Sequence, residues 1–352
     1  MRLFHAAELL LIYFTFTCQS GSVAIKWGST KVMEILAKEY TEHKTFKELL
    51  QPILVPRMVD TDSHRDVREH LINTLKSLNW HVEIDEFQDE TPYGMKTFRN
   101  IIATYDISKP QRLVLAAHYD SKNMTSGKQD FVAATDSAVP CGILLDMAKQ
   151  LDCLLTKEKS NRKSDVTPQI IFFDGEEAYK EWTDKDSIYG ARHLASQWEK
   201  SRDRNRQDLN NLQTIKLFVL LDLIGSADVT FRNFFPDSSK DFENLVKIEK
   251  VLKEKGFLNE EGLRKKSPLF VTDNRSSYFG GGIGDDHVPF LKKGVKILHL
   301  ISFPFPHVWH TMQDDSTAID YDVTDNFNRI FRTFVANYLK LDATESSCRR
   351  KK

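Results

Sequence analysis

The chain has 352 residues, 41% of them apolar and 28% charged, an ordinary globular balance that excludes a disordered or collagenous protein. Lysine and arginine number 49 against 50 aspartates and glutamates, a net charge of −1, so no overall field draws the chain to nucleic acid or to an anionic membrane. The length allows one large or two modest domains, and four cysteines are too few for a disulfide framework.

At the start, Leu9 to Thr17 is a short apolar run between Met1-Arg2 and the small residues Ser20 to Ser22. That layout predicts a secretory signal peptide over 1–22. The run is too short for a membrane span of roughly 20 residues, so no stable span is expected. Two sequons, Asn123-Met124-Thr125 and Asn274-Arg275-Ser276, fit a secreted or lumenal glycoprotein.

Residues 30–80 read as helical, with Leu71, Ile72, Leu75 and Leu78 at helical spacing. His81 to Phe87 alternates as a half-buried strand does, and Ile101 to Tyr105 and Arg112 to Ala117 are strands on either side of Ser108-Lys109-Pro110. Ile143, Leu144, Met147 and Leu151 then predict a helix over Ala138 to Cys153. Three unbroken apolar runs follow, Gln169 to Phe173, Lys216 to Leu221 and Lys296 to Ile301, which suit strands buried on both faces. The fold class is α/β: a central mixed, mostly parallel twisted sheet with an antiparallel edge and helices on both faces. The charged stretches Thr156 to Asp165 and Glu199 to Asn210 are expected to be solvated loops, and Gly280 to Gly284 a flexible turn rather than a phosphate loop. Cys141 and Cys153 fall on one predicted helix, about 18 Å apart at a rise of roughly 1.5 Å per residue. A disulfide needs Cα atoms within about 7 Å, so these two do not pair.

Acids and histidines gather where the strands end. Arg112 to Ala117 runs into His118-Tyr119-Asp120, Gln169 to Phe173 into Asp174-Gly175-Glu176-Glu177, and Lys216 to Leu221 into Asp222. Lys296 to Ile301 leads through Pro304, Phe305 and Pro306 to Trp309-His310. Open α/β sheets bind ligands beyond the carboxyl ends of their strands, so these groups can meet at one edge. Asp136, ahead of a helix with Pro140 in its first turn, is either a cap or a ligand. Asp136, Glu177 and His310 can supply the three-ligand set of a catalytic Zn²⁺. Glu176 would then face substrate and move protons. Asp222 is a strand-end acid for a site or for an ion pair, and Asp285-Asp286 either cap the helix near His287 or share a proton with another buried acid. His118 has three readings: donor to a ligand, second-metal ligand, or packed core residue. His299 reads as a satisfied core residue. Trp182, Phe305 and Trp309 ring the region as core or as pocket wall.

Together, Leu115-Ala116-Ala117-His118-Tyr119-Asp120-Ser121, Ala134-Thr135-Asp136-Ser137-Ala138-Val139-Pro140-Cys141, Phe172-Phe173-Asp174-Gly175-Glu176-Glu177-Ala178, Leu221-Asp222-Leu223-Ile224-Gly225, Asp285-Asp286-His287-Val288-Pro289-Phe290-Leu291 and Phe303-Pro304-Phe305-Pro306-His307-Val308-Trp309-His310-Thr311 resemble the glutaminyl-peptide cyclotransferases, the animal glutaminyl cyclases, over about 35–342. The resemblance implies a zinc aminopeptidase-like fold and one domain over 35–342, with a basic tail at 343–352. It implies one zinc per chain on Asp136, Glu177 and His310, proton transfer by Glu176 and support from the hydrogen-bonded acids Asp222 and Asp285. It also implies a pocket lined by Trp182, Phe305 and Trp309, and peptides with N-terminal Gln as substrates, closed to pyroglutamate with loss of ammonia. A monomer is the expected state.

Two departures stand out. Family members commonly bridge a Cys before His-Tyr-Asp to the Cys of Val-Pro-Cys, and Ala117 here leaves Cys141 without that partner. With Cys141 unpaired, reduction is expected to leave the melting temperature almost unchanged. Mammalian members carry Gln where this chain has Gly284. The rivals are a two-zinc aminopeptidase, for which His118, Asp136, Glu177, Asp222 and His310 could serve, and an inactive binding domain on the same fold.

Overall fold

The computed structural model describes residues 30–38, 43–124, 131–161, 164–272, 283–343 and 348. The expected leader, the Asn274 sequon, Gly280 to Gly282 and most of the basic tail lie outside the described residues.

The chain enters through helices α1 (Thr30–Lys38), α2 (His43–Leu50) and α3 (Asp62–Ser77). Thr61 starts α3 by accepting the His64 N–H on its side chain. The predicted first strand becomes a longer hairpin, β1 (His81–Thr91) and β2 (Gly94–Thr104), paired antiparallel along its whole length. Then come β3 (Gln111–His118), α4 (Val139–Asn161), β4 (Val166–Phe173), α5 (Tyr189–Lys200) and β5 (Ile215–Asp222). After them the chain forms β6 (Phe231–Arg232), α6 (Ser239–Glu254), α7 (Glu260–Lys265), β7 (Phe270–Val271), α8 (Val288–Leu291), β8 (Ile297–Ile301) and α9 (Tyr321–Tyr338).

Among the described residues the main sheet has six strands in the order β1-β2-β4-β3-β5-β8. β4, β3, β5 and β8 are mutually parallel, while β1 and β2 form the antiparallel edge. Successive strands β2 and β3 are not neighbours, because α4 carries the chain back and inserts β4 between them. The expected sheet class holds.

The unbroken apolar runs are explained by two cores. Leu113, Leu115 and Ala117 of β3 pack with α1 to α4, α6 and α9, whereas Val114 and Ala116 face α5 and α8. In β5, Leu217, Val219 and Leu221 face the first core and Phe218 and Leu220 the second. Side chains alternate across a strand, so a strand covered on both faces needs apolar residues at every position. Parallel pairing brings the carboxyl ends of β3, β4, β5 and β8 to one edge.

Two expectations need correction. The stretch after Cys153 is not all loop: α4 continues to Asn161, because its lysines and glutamate are good helix formers. The cysteines also form a bridge. Cys153 is joined to Cys348 with Cα atoms 5.6 Å apart, across 195 residues of sequence, and Cys141 is a buried free thiol. Helix rise excluded only the Cys141–Cys153 pair. It is blind to α9, which packs on α4 and leads the chain end to it, where Cys348 enters the same core. Such a bridge persists in oxidising compartments. No helix among the described residues is long and apolar enough to cross a membrane.

Reduction should therefore lower the melting temperature, by the several degrees that about 2–4 kcal/mol represents, and Cys153→Ser should show the same loss without reductant. Cys141 Sγ lies 3.1 Å from the His118 carbonyl oxygen, one residue beyond Ala117. Alkylation of the unfolded, unreduced chain should label Cys141, and in Ala117→Cys that label should disappear as the two close a second bridge.

Candidate active site

The site grows from loops that leave the sheet at its carboxyl edge. After β4 the chain turns at Gly175, whose φ of +69° lies in the left-handed region. A Cβ at Gly175 would also clash with the Phe98 ring. Two acids hold this turn by accepting main-chain N–H groups. Asp174 takes the Arg99 N–H at 2.7 Å, the Tyr119 hydroxyl at 3.1 Å and His64 Nε2 at 3.0 Å. Asp120 takes the N–H of Glu176 on one oxygen and of Glu177 on the other, at 3.1 and 3.2 Å. The main chain of the two glutamates is thereby fixed at the turn.

Asp136 lies in a one-turn irregular helix, Ala134–Ala138, where its own dihedrals are not helical. It is not a cap. Its Oδ1 lies 3.0 Å from His118 Nε2, and its Oδ2 lies 3.3 Å from His310 Nε2. Glu177 Oε1 lies 3.3 Å from the same nitrogen. Both oxygens are buried and lack a hydrogen-bond partner. Ligand atoms about 2.0 Å from a tetrahedral ion stand about 3.3 Å apart, so both distances to His310 fit a zinc site, and the three ligand atoms lie within 4.8 Å of one another. Burial alone would lower the His310 pKa, but the two carboxylates outweigh it and raise it to about 9, marking a point that favours positive charge. Lys122 Nζ holds the other Glu177 oxygen at 3.1 Å.

The turn bearing Asp136 is itself clamped. Arg57 is fully buried, and its guanidinium donates to the carbonyls of Val132, Ala133 and Asp136. On the other side Asp314 accepts the Ala134 N–H on its carbonyl and the Thr135 N–H on its carboxylate, at 3.0 and 2.8 Å. Asp314 follows His310 in the same loop, so the segments carrying Asp136 and His310 are bonded to each other. Burial pushes the Asp314 carboxyl up to about 7, against the Thr135 N–H.

Other predicted residues surround this centre. Glu176 is buried, and burial raises its pKa well above the usual carboxylate value, with Glu177, Asp285 and Asp286 adding to the effect and His118 opposing it. Asp222 accepts from the Ser137 hydroxyl and lies 3.6 Å from His118 Nε2. Asp285 meets His299 Nε2 at 2.6 Å. Burial raises the Asp285 pKa and lowers that of His299 to about 4. His299 is thus buried and satisfied, as expected, but by a site acid. Neither Asp285 nor Asp286 caps α8, which starts without a side-chain bond. His118 serves as donor to Asp136, although with Asp136 and Asp222 it also forms a second cluster able to hold a metal. Trp309 stacks on His310 at 4.0 Å between ring centres, Phe305 meets Trp309 edge-on at 4.9 Å, and Trp182 lies over Gly284. A cleft of 460 Å³, lined by Glu83, Arg112 and Arg204 among others, sits at the opposite end of the strands.

Residues 100–335 match the profile of Peptidase family M28. The chain is 43% identical to glutaminyl-peptide cyclotransferase of Bos taurus over 298 residues, covering 83% of this chain and 81% of that one. It is 42% identical to the glutaminyl-peptide cyclotransferase of Drosophila melanogaster over 306 residues, covering 85% and 82%. The chain belongs to the glutaminyl-peptide cyclotransferases of the M28 fold. The crystal structure of Macrostomum lignano glutaminyl cyclase superposes with a TM-score of 0.81 at 35% identity, covering 91% of this chain and 96% of that one.

Sequence reasoning in this glutaminyl-peptide cyclotransferase family member pointed the strand-end acids and histidines to one edge, but it assigned no role to Arg57, Asp120, Lys122, Asp174 or Asp314. Of these, only Asp120 and Asp174 had a visible signal, as acids directly after buried strands. Replacing Arg57 with Met removes a donor from the carbonyls of Val132, Ala133 and Asp136, of which Ala133 keeps only the Ala138 N–H, so chemical denaturation should show a loss of roughly 3 kcal/mol or more, with Arg57→Lys less affected.

Proposed function

We propose that this chain cyclises N-terminal glutamine of peptides and proteins to pyroglutamate, releasing ammonia, with one zinc per chain. The observation carrying this reading is the convergence of Asp136 Oδ2, Glu177 Oε1 and His310 Nε2 next in sequence to a buried Glu176, in a chain of this family. Zinc held there would supply a Lewis acid for the γ-amide carbonyl of the substrate.

The protein groups do the rest. We assign Trp182, Phe305 and Trp309 to the pocket wall, where they fold the glutamine side chain back on its own amine, so that ring closure gains from orientation. The α-amine nitrogen bonds to the side-chain carbonyl carbon, and the bond from that carbon to the amide nitrogen breaks. Glu176 takes a proton from the attacking amine and returns it to the departing nitrogen, which leaves as ammonia. Asp222 and Asp285, tied to Ser137 and His299, support Glu176 from behind.

We read residues 35–342 as one catalytic domain, monomeric in solution, with a leader over 1–22 and a tail over 343–352, in a secreted or lumenal glycoprotein. The Cys153–Cys348 bridge supports the compartment. The cluster of His118, Asp136 and Asp222 favours a second reading, a two-metal aminopeptidase. Against it, His118 Nε2 already bonds Asp136, and Ser137 already bonds Asp222.

Incubation of the purified protein with an N-terminal-Gln peptide tests the reading: ammonia without chain shortening supports it, and a shortened peptide overturns it. Glu176→Gln should keep fold and zinc while losing about 10²- to 10⁴-fold in turnover. Metal analysis should find one zinc per chain and almost none in His310→Ala, which leaves two carboxylates to hold the ion. Two zincs per chain would favour the peptidase.

A further inference from the structure

Gly284 stands directly before Asp285, and the indole of Trp182 fills the space where a side chain at 284 would begin. A Cβ there would lie 2.7 Å from Trp182 Nε1 and 3.3 and 3.4 Å from Cε2 and Cζ2, and these are its three nearest atoms. Gly284 is not among the positive-φ glycines, so what glycine supplies here is room, not backbone freedom. Real Cβ atoms do not approach a heavy atom as closely as 2.7 Å, so this pose of Trp182 requires glycine at 284.

The indole, and not its backbone, is the part free to yield. Asp186 accepts the N–H groups of Tyr179, Lys180 and Glu181 at 2.9, 2.8 and 3.1 Å, which pins the chain just before Trp182. Thr183 Oγ1 accepts the N–H of Asp186 at 3.0 Å on the other side. The Trp182 side chain is itself 46% exposed, with open space to swing into. We infer that Gly284 is a positioning residue of the substrate pocket, which seats the Trp182 indole beside Asp285 and so sets how tightly the peptide is held. This inference rests on the cyclase reading of the site.

The test is a double-mutant cycle with Gly284→Ala and Trp182→Ala, assayed on an N-terminal-Gln peptide. Gly284→Ala should raise KM about tenfold with kcat changed less than about twofold, within the roughly 10²-fold that a misplacement of 1 Å can cost. Zinc content should stay at the wild-type level, and Gly284→Gln should act in the same direction. In the Trp182→Ala background Gly284→Ala should add nothing, because the atom it strikes is gone. Acrylamide quenching, taken as the difference between each protein and its Trp182→Phe counterpart, should show the indole more accessible in Gly284→Ala. An unchanged KM, an equal KM rise in both backgrounds, or unchanged quenching would overturn the inference. If Gly284→Ala loses stability, Trp182→Ala should restore it, and failure of that rescue also counts against the proposal. Absence of any turnover by the wild-type protein would instead overturn the cyclase reading, while the quenching comparison would still decide whether Gly284 seats Trp182.

Discussion

Too much negative charge meets at one edge of one sheet, and the surrounding structure exists to tolerate it. Asp120, Asp136, Asp174, Glu176, Glu177, Asp222, Asp285, Asp286 and Asp314 are all buried there. Burying even one unpaired carboxylate is expensive enough to shift its pKa or unfold its surroundings. The protein answers in four ways. Main-chain N–H groups bond Asp120, Asp174 and Asp314. The cations of Lys122 and Arg57, and the imidazole of His118, sit among the acids. Asp285 and Asp286, like Glu176, are driven toward their neutral forms by burial. What remains, Asp136 Oδ2 and Glu177 Oε1 facing His310, forms a group that could hold a metal ion.

This ordering explains why support and chemistry are hard to separate. Asp120 orients the two glutamates through their amides while its other neighbour is the His118 ring, at 3.5 Å. His118 in turn bonds Asp136. A change at Asp120 therefore reaches Glu176, Glu177 and Asp136 through one or two bonds. The same logic makes Arg57 and Asp314 part of the centre, although neither is aimed at the place where a substrate would sit. Arg57 donates to carbonyls, Asp314 receives amides, and between them the turn of Asp136 has little freedom.

Much of this was legible beforehand, for physical reasons. The buried strands are unbroken apolar runs because both faces are covered, and an acid directly after such a run has nowhere to go but the strand-end site. That made Asp174, Glu176, Glu177 and Asp222 visible. Asp136 was ambiguous because a cap and a ligand look alike in sequence, and only the distances to His118 and His310 separate them. Arg57 and Asp314 were invisible, since bonds to backbone carbonyls and amides leave no pattern in residue types. The Cys153–Cys348 bridge was missed because it depends on α9 lying against α4, a tertiary fact that helix rise cannot supply. Thr156 to Asn161 was misjudged because a solvated helix end and a solvated loop share a composition.

The bridge has a topological consequence. It closes the chain from Cys153 to Cys348 into a covalent ring, and Glu176, Glu177, Asp222, Asp285 and His310 all lie inside that ring. Asp136 lies outside it. A protease that cuts an exposed loop within the ring, such as the charged stretch between α5 and β5, opens a circle rather than severing a string. Both halves stay joined, and the nicked molecule migrates as one species until a reductant is added. An enzyme closed in this way can thus be cut once within the ring without losing half of its active site to diffusion.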